Sequence, residues 1–149
     1  MSIASKFANG KVDLLVIDPD GKPLLLVETK RHTIDQSGLK QLEEYAASLR
    51  PAFVMIADVR EIKVAPAYNG VPDWSHVIQL PTSATLGHYT ETPNFGHIEG
   101  FYLESLVEAW LRDFTQPWKF PQPPGYRELE SMGLTSRLRG GEIRFEVQA

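Results

Sequence analysis

The chain has 149 residues, of which 42% are hydrophobic, so it is long enough for one domain with a substantial core. It contains no cysteine, which excludes disulfide bonds and thiolate zinc sites. The net charge of -4 excludes a general electrostatic attraction to nucleic acid, so such binding would need a local basic patch. The sequence shows neither a signal peptide nor an apolar run that could span a bilayer, so we expect a cytoplasmic protein without membrane contacts.

The first predicted elements form a hairpin. Residues 12–17 (VDLLVI) and 24–30 (LLLVETK) are typical of strands, and the DPDGKP segment between them is typical of a turn. Because side chains alternate along a strand, Leu26, Glu28 and Lys30 share one face. Both faces of the second strand are apolar until its charged end. This pattern predicts a central strand covered on both sides, with its charged end at the opening of a cleft.

The first strand brings a second carboxylate to this end. With a four-residue loop, Asp18 pairs with Pro23, and Asp13 lies opposite Glu28 on the same face. Two carboxylates that close repel each other and favour a cation between them, and Mg²⁺, with Mn²⁺ as a substitute, suits such an oxygen site. Lys30 could then orient an attacking water or stabilise charge on a phosphate, which suggests metal-assisted phosphodiester hydrolysis. Alternatively, the charges simply mark a strand that reaches solvent.

A helix and two strands are predicted next. Leucines and an alanine recur at helical spacing from about residue 35 to residue 50, and Pro51 marks the stop. Strands follow at 52–58 (AFVMIAD) and 61–65 (EIKVA), separated by a turn.

The second half of the chain is less regular. Residues 66–100 are predicted to be mostly loop, with one short strand at 77–80. The apolar spacing in residues 101–114 (FYLESLVEAWLRDF) fits a helix at nearly every position. A proline-rich connector at 116–126 and an edge strand at 142–148 complete the predicted elements.

A family resemblance is carried by two segments, VDLLVIDPDGKPLLLVETKR and LKQLEEYAASLRPAFVMIADVREIKVA. Together they resemble the PD-(D/E)XK nuclease superfamily, in particular the N-terminal nuclease domain of type I restriction enzyme R subunits. Asp13 matches the motif's aspartate, and Glu28-Thr29-Lys30 matches its Glu-X-Lys. The resemblance implies a Mg²⁺-dependent endodeoxyribonuclease in which Asp13, Glu28 and the Thr29 main-chain carbonyl bind metal and Lys30 is the catalytic lysine.

Gln41 and Tyr45 match the Gln-X-X-X-Tyr motif of type I nucleases. They lie one helical turn apart, and the resemblance implies that they contact the nucleic-acid backbone or support Lys30. The alternative is that they are ordinary residues at the margin of an apolar stripe.

The resemblance also implies a restriction-endonuclease-like α/β fold, with a central mixed sheet flanked by helices. We expect a single domain over residues 1–149, with the motif-bearing core at about 11–67 and the C-terminal helix and edge strand, within 98–149, packing on it. In this family a helix that often bears another glutamate precedes the aspartate, whereas none of the first twelve residues here is acidic. We therefore hypothesise that Glu104 or Glu108 replaces that carboxylate; the alternative is a solvated helix face.

Other features bear on partners. The four histidines show no close metal-ligand spacing, and Trp74 and Trp118 are candidates for stacking on bases. The chain lacks a G-x-x-x-x-G-K-[ST] loop, so DNA translocation would need a separate motor or specificity subunit. A homodimer through the edge strand is a further possibility. The alternative function is a catalytically degenerate nuclease fold that serves nucleic-acid binding or protein assembly.

Overall fold

The apolar runs of the sequence form a mixed, seven-stranded sheet in a computed structural model that describes residues 10–30, 35–91, 100–116 and 122–149, with only the backbone at 100 and 101. Its order is β5-β4-β3-β2-β1-β7, and β6 pairs with β4. The strands are β1 Lys11–Ile17, β2 Pro23–Thr29, β3 Phe53–Ala57, β4 Glu61–Tyr68, β5 Val71–Pro72, β6 Ile78–Pro81 and β7 Glu142–Gln148. Because β2 and β3 are parallel and the other pairings are antiparallel, the predicted mixed sheet is confirmed.

The hairpin of β1 and β2 has the predicted register over most of its length, with Leu14 opposite Val27. The register shifts at the turn end, where Ile17 pairs with Pro23. The predicted pairing of Asp18 with Pro23 is therefore wrong. A proline has no N–H to donate to the ladder, and a bulge at this point absorbs one residue.

The helices are α1 Gln36–Leu49, α2 Thr82–Leu86, α3 Gly100–Thr115, α4 Tyr126–Ser131 and α5 Thr135–Leu138. Helix α1 begins after Asp35, whose carboxylate accepts a hydrogen bond from the Gly38 N–H at 2.9 Å. It ends at Arg50, which is left-handed with φ 51° and precedes Pro51. The predictions for α1 and α3 are confirmed to within a residue or two.

Helices cover both faces of the sheet, as the apolar pattern of β2 predicts. On one face, Leu42 and Ala46 of α1 pack in a buried cluster with alternate strand residues such as Leu26. On the other face, a larger cluster joins α3 and the short helices to residues such as Val27. Trp110 lies in this second cluster with no exposed surface, and its indole N–H donates to the Pro124 carbonyl at 2.8 Å.

Residues 66–91, the described part of the segment predicted as mostly loop, are more ordered than expected. Strand β6 confirms the short strand at 77–80, but α2 and the 3-10 helices Trp74–His76 and Gly87–Tyr89 were missed. These helices are too short to show an apolar period, and long-range contacts stabilise them. The Thr82 hydroxyl at the start of α2, for example, donates to the Asp58 carbonyl at 2.8 Å.

The C-terminal part completes the architecture. Strand β7 pairs with β1 and forms the edge of the sheet, as expected for residues 142–148. Helix α3 packs across β1, β2 and β7. Among the described residues, none of the helices has the length and apolar character needed to cross a membrane.

Candidate active site

The candidate site lies where β1 and β2 separate after the Leu14–Val27 pair. At this point hydrogen bonds to side-chain carboxylates replace the backbone–backbone hydrogen bonds between the two strands. The Asp13 N–H donates to Glu28 Oε1 at 3.2 Å, while the Thr29 N–H and hydroxyl donate to Asp13 Oδ2 at 2.8 and 3.1 Å. The two carboxylates are thus fixed on facing strands, as the hairpin register predicted.

Glu28 is a buried carboxyl whose charge is poorly compensated. It is only 4% exposed, and Lys30 Nζ approaches its Oε2 no closer than 4.0 Å. Burial and then the negative charge of Asp13 raise the pKa of Glu28 to about 8, against the opposing effect of Lys30. A cation that bound between Asp13 and Glu28 would relieve both effects.

Lys30 lies at the mouth of the site. Its N–H donates to the Ala57 carbonyl at 2.8 Å, which extends the pairing of β2 with β3 by one residue. Its side chain is 35% exposed, so the ammonium can reach both Glu28 and a bound ligand. This combination of a fixed backbone and a partly free side chain suits a group that contacts substrate.

Tyr45 and Gln41 of α1 lie beside this pair. Gln41 Nε2 donates to the Tyr45 hydroxyl at 2.9 Å. Burial and then the negative charge of Glu28 raise the pKa of Tyr45. The ring also lies against the start of β1, where a Cβ on Gly10 would be only 2.6 Å from Tyr45 Cε1. The structure therefore places the Gln-X-X-X-Tyr motif next to the carboxylates.

Comparison with known proteins agrees with this geometry. Residues 1–80 match the family model described as Type I restriction enzyme R protein N terminus (HSDR_N), which is more than half of the chain. The chain belongs to this family. Comparisons with curated proteins and with solved structures found no match. The matched part of this R-protein N-terminal domain includes every residue of the two predicted motifs, so the resemblance is confirmed, whereas α3 and β7 lie beyond it.

The unmatched part brings two further glutamates near Asp13. The register of β7 on β1 places Glu146 opposite Asp13, and Glu146 is left-handed with φ 49°. Burial, and then the charges of Asp13 and Glu146, raise the pKa of Glu104 on α3. Glu108 instead forms an ion pair with Arg112 one turn further along the helix. Of the two hypothesised replacements, Glu104 is therefore the one whose pKa is raised by the negative charge of Asp13.

Glu146 was not predicted from the sequence because only the pairing of β7 with β1 brings this residue close to Asp13. No local sequence pattern predicts that pairing. The histidines lie elsewhere where they are described. His76 bonds to the Asp73 carboxylate at 2.6 Å, and His88 packs edge-on against Tyr89. His32, His97 and Trp118 lie outside the described residues.

The oxygen atoms available near Asp13 and Glu28 can be compared with the ligands that Mg²⁺ requires. Within the described ranges, no group of three or more histidine, aspartate or glutamate side chains is arranged to hold a metal ion. The site would therefore rest on the Asp13 and Glu28 carboxylates and the Thr29 carbonyl. Mg²⁺ commonly binds through one or two carboxylates and retains several waters, so these oxygen donors fit it.

Proposed function

We propose that this R-protein N-terminal domain is a Mg²⁺-dependent nuclease that hydrolyses DNA phosphodiester bonds. The observation that carries the proposal is the convergence of Asp13, Glu28 and Lys30 at the opening between β1 and β2. Two carboxylates and one lysine around a cleft are the groups that metal-assisted phosphodiester hydrolysis needs.

The roles follow from the positions of these groups. Asp13, Glu28 and the Thr29 carbonyl would hold the cation, and the bonds from Thr29 to Asp13 keep that carboxylate oriented. When bound, Mg²⁺ would supply positive charge beside the phosphate and acidify a coordinated water.

Lys30 supplies the second positive charge. Its partly exposed ammonium would orient the attacking water or stabilise the negative charge that develops on the phosphate. Tyr45, bonded to Gln41 and packed against the start of β1, would keep the wall of the site rigid and support the carboxylates.

The first experiment measures Mn²⁺ binding by calorimetry in the wild type and in Asp13→Ala. We expect binding in the wild type and its loss in Asp13→Ala. A matched control is Asp20→Ala, which removes an exposed carboxylate in the hairpin turn. Equal binding in all three proteins would remove the basis of the proposal.

Cleavage is tested with Lys30→Ala, using single-stranded and duplex DNA with Mg²⁺. We expect a loss of rate of about 100-fold or more, the scale seen when a charge-stabilising group is removed, while Mn²⁺ binding persists. Lys22→Ala, at an exposed turn position, is the control. Unchanged cleavage in Lys30→Ala would exclude the catalytic role. If the wild type neither binds Mn²⁺ nor cleaves DNA, the degenerate nuclease fold becomes the better account.

The family also bears on partners. A type I restriction enzyme R domain implies DNA and other subunits, which supports our proposal that a separate motor or specificity subunit delivers the substrate. Homodimer formation through the outer edge of β7 stays a prediction.

A further inference from the structure

A second concave feature lies on the α1 side of the sheet. It is a pocket of about 520 Å³, within the 300–1,000 Å³ that is typical of small-ligand sites. Its walls are mainly apolar, and polar groups line part of it. The apolar walls include Leu39, Ile56, Val77 and Trp74, and the polar part includes Lys63 and Gln79.

The sheet register connects this pocket to the candidate active site. Ile56 is the β3 neighbour of Glu28, Lys63 of β4 is the neighbour of Ile56, and Gln79 of β6 is the neighbour of Lys63. Neighbouring strands lie about 4.7–4.9 Å apart. The pocket therefore starts roughly 5 Å from Glu28 along this row and extends to roughly 15 Å. A nucleotide next to a phosphate bound at the carboxylates lies within this range.

The chemistry of the pocket fits a nucleobase better than a phosphate. Trp74 is half-buried and packs against the hydrophobic cluster on the α1 side of the sheet, and its indole N–H makes a long hydrogen bond of 3.4 Å to Glu43 Oε2. Asp35 also lines the pocket, and the positive charge of Lys63, the one cation among the described lining residues, is already paired with Glu61 at 3.2 Å, so the lining offers little attraction to an anion. By contrast, amides such as that of Gln79 can donate to and accept from the polar edge of an uncharged base.

We propose that this pocket binds an unpaired nucleobase of the strand whose phosphate lies at Asp13 and Glu28, with Trp74 as the stacking surface. This inference rests on the proposed nuclease function and narrows its substrate to DNA with unpaired bases beside the cleavage point. A base inside a duplex must first be unstacked and unpaired, which costs a few kcal/mol, whereas a single strand avoids this cost. The domain therefore prefers single-stranded or frayed DNA.

The test measures the binding of a fluorescently labelled single-stranded oligodeoxythymidylate and of a blunt duplex by anisotropy. Glu28→Gln serves as the background, because it removes a proposed metal ligand and so should not consume the DNA. Base stacking on an aromatic side chain contributes about 1–3 kcal/mol, so we expect Trp74→Ala to weaken single-strand binding by about 5- to 150-fold. Trp74→Phe should retain most of the affinity, and duplex binding should change by less than about twofold.

Two further variants keep the result interpretable. Tyr68→Ala removes an aromatic side chain that is 63% exposed near the opposite end of β4 from Lys63, and it should leave single-strand binding unchanged. Val77→Phe fills the pocket while it keeps Trp74, and it should reproduce the loss even if Trp74→Ala fails to fold.

The outcomes separate this inference from the proposed function. Equal single-strand affinity in Trp74→Ala and Tyr68→Ala, or a loss that is equal for single strand and duplex, overturns the base pocket and leaves the nuclease proposal standing. If binding depends on Trp74 while the wild type fails to bind Mn²⁺, the pocket stands and the nuclease proposal fails.

Discussion

Replacing Glu28 by glutamine should remove most of the pH dependence of folding stability in the metal-free protein. The folded protein raises the pKa of this carboxyl from 4.5 to about 8 through burial and the charge of Asp13. Between these two values the folded state binds a proton that the unfolded state has released. The stability of the wild type must therefore be greatest at low pH within this window and must fall as the pH rises towards 8.

The size of the effect follows from the same two values. Each pH unit between 4.5 and about 8 costs the folded state about 1.4 kcal/mol. The full cost, on the order of 5 kcal/mol, is reached above pH 8 and is a large part of a typical unfolding free energy. Glutamine keeps an oxygen that can accept the Asp13 N–H but carries no charge, so its variant avoids this cost.

The assay is urea unfolding in EDTA at a series of pH values from about 5 to about 9, a range that includes the folded-state pKa. Glu130→Gln, at an exposed glutamate of α4, is the matched control and should follow the wild type. Adding Mg²⁺ should raise the unfolding free energy of the wild type at high pH and leave that of Glu28→Gln unchanged. Parallel pH profiles for the wild type and Glu28→Gln would show that this carboxyl is not buried as described.

Three other predictions concern neighbouring positions. Gly10→Ala should destabilise the protein by about 1–3 kcal/mol in chemical denaturation, because its Cβ would lie 2.6 Å from the Tyr45 ring; wild-type stability would contradict this contact. Asp35→Ala should lower the midpoint of chemical denaturation by removing the N-cap of α1, and Asp35→Asn should recover most of the loss. Glu104→Gln should weaken Mn²⁺ binding measured by calorimetry, whereas Glu108→Gln should not; equal affinities would place Glu104 outside the site.

The part of the site within the hairpin was predictable because its geometry is local. Alternation along β2 places Glu28 and Lys30 on one face, and the register of a short turn decides which residue faces Glu28. The register stays as predicted from Val16 to the Leu14–Val27 pair, and the Asp13 N–H contacts the Glu28 carboxylate, even though the turn itself was one residue wrong. The bulge occurs between Val16 and Ile17, at the far end of the hairpin, so its effect does not reach the carboxylates.

The rest of the site depends on pairings between distant segments. Lys63 and Gln79 lie in the same row across the sheet as Glu28 only because β4 pairs with both β3 and β6. Glu146 and Glu104 approach Asp13 only after β7 and α3 have packed on the opposite side of the hairpin. A single sequence shows that these segments are a strand and a helix, but not which edge or face they occupy.

Because the surroundings of the carboxylates come from distant segments, the motif alone could not predict the electrostatics of the site. An Asp13–Glu28 pair on an isolated hairpin would be hydrated, and both carboxyls could ionise at little cost. The pKa of Glu28 rises because α1 covers its face of the sheet and the neighbouring strands exclude water. The tertiary fold thus buries the Glu28 carboxyl next to Asp13. Its ionised form is unfavourable there unless a divalent cation compensates the two negative charges. The cation affinity that we propose would accordingly be a property of the whole domain, although the proposed ligands come from one short segment.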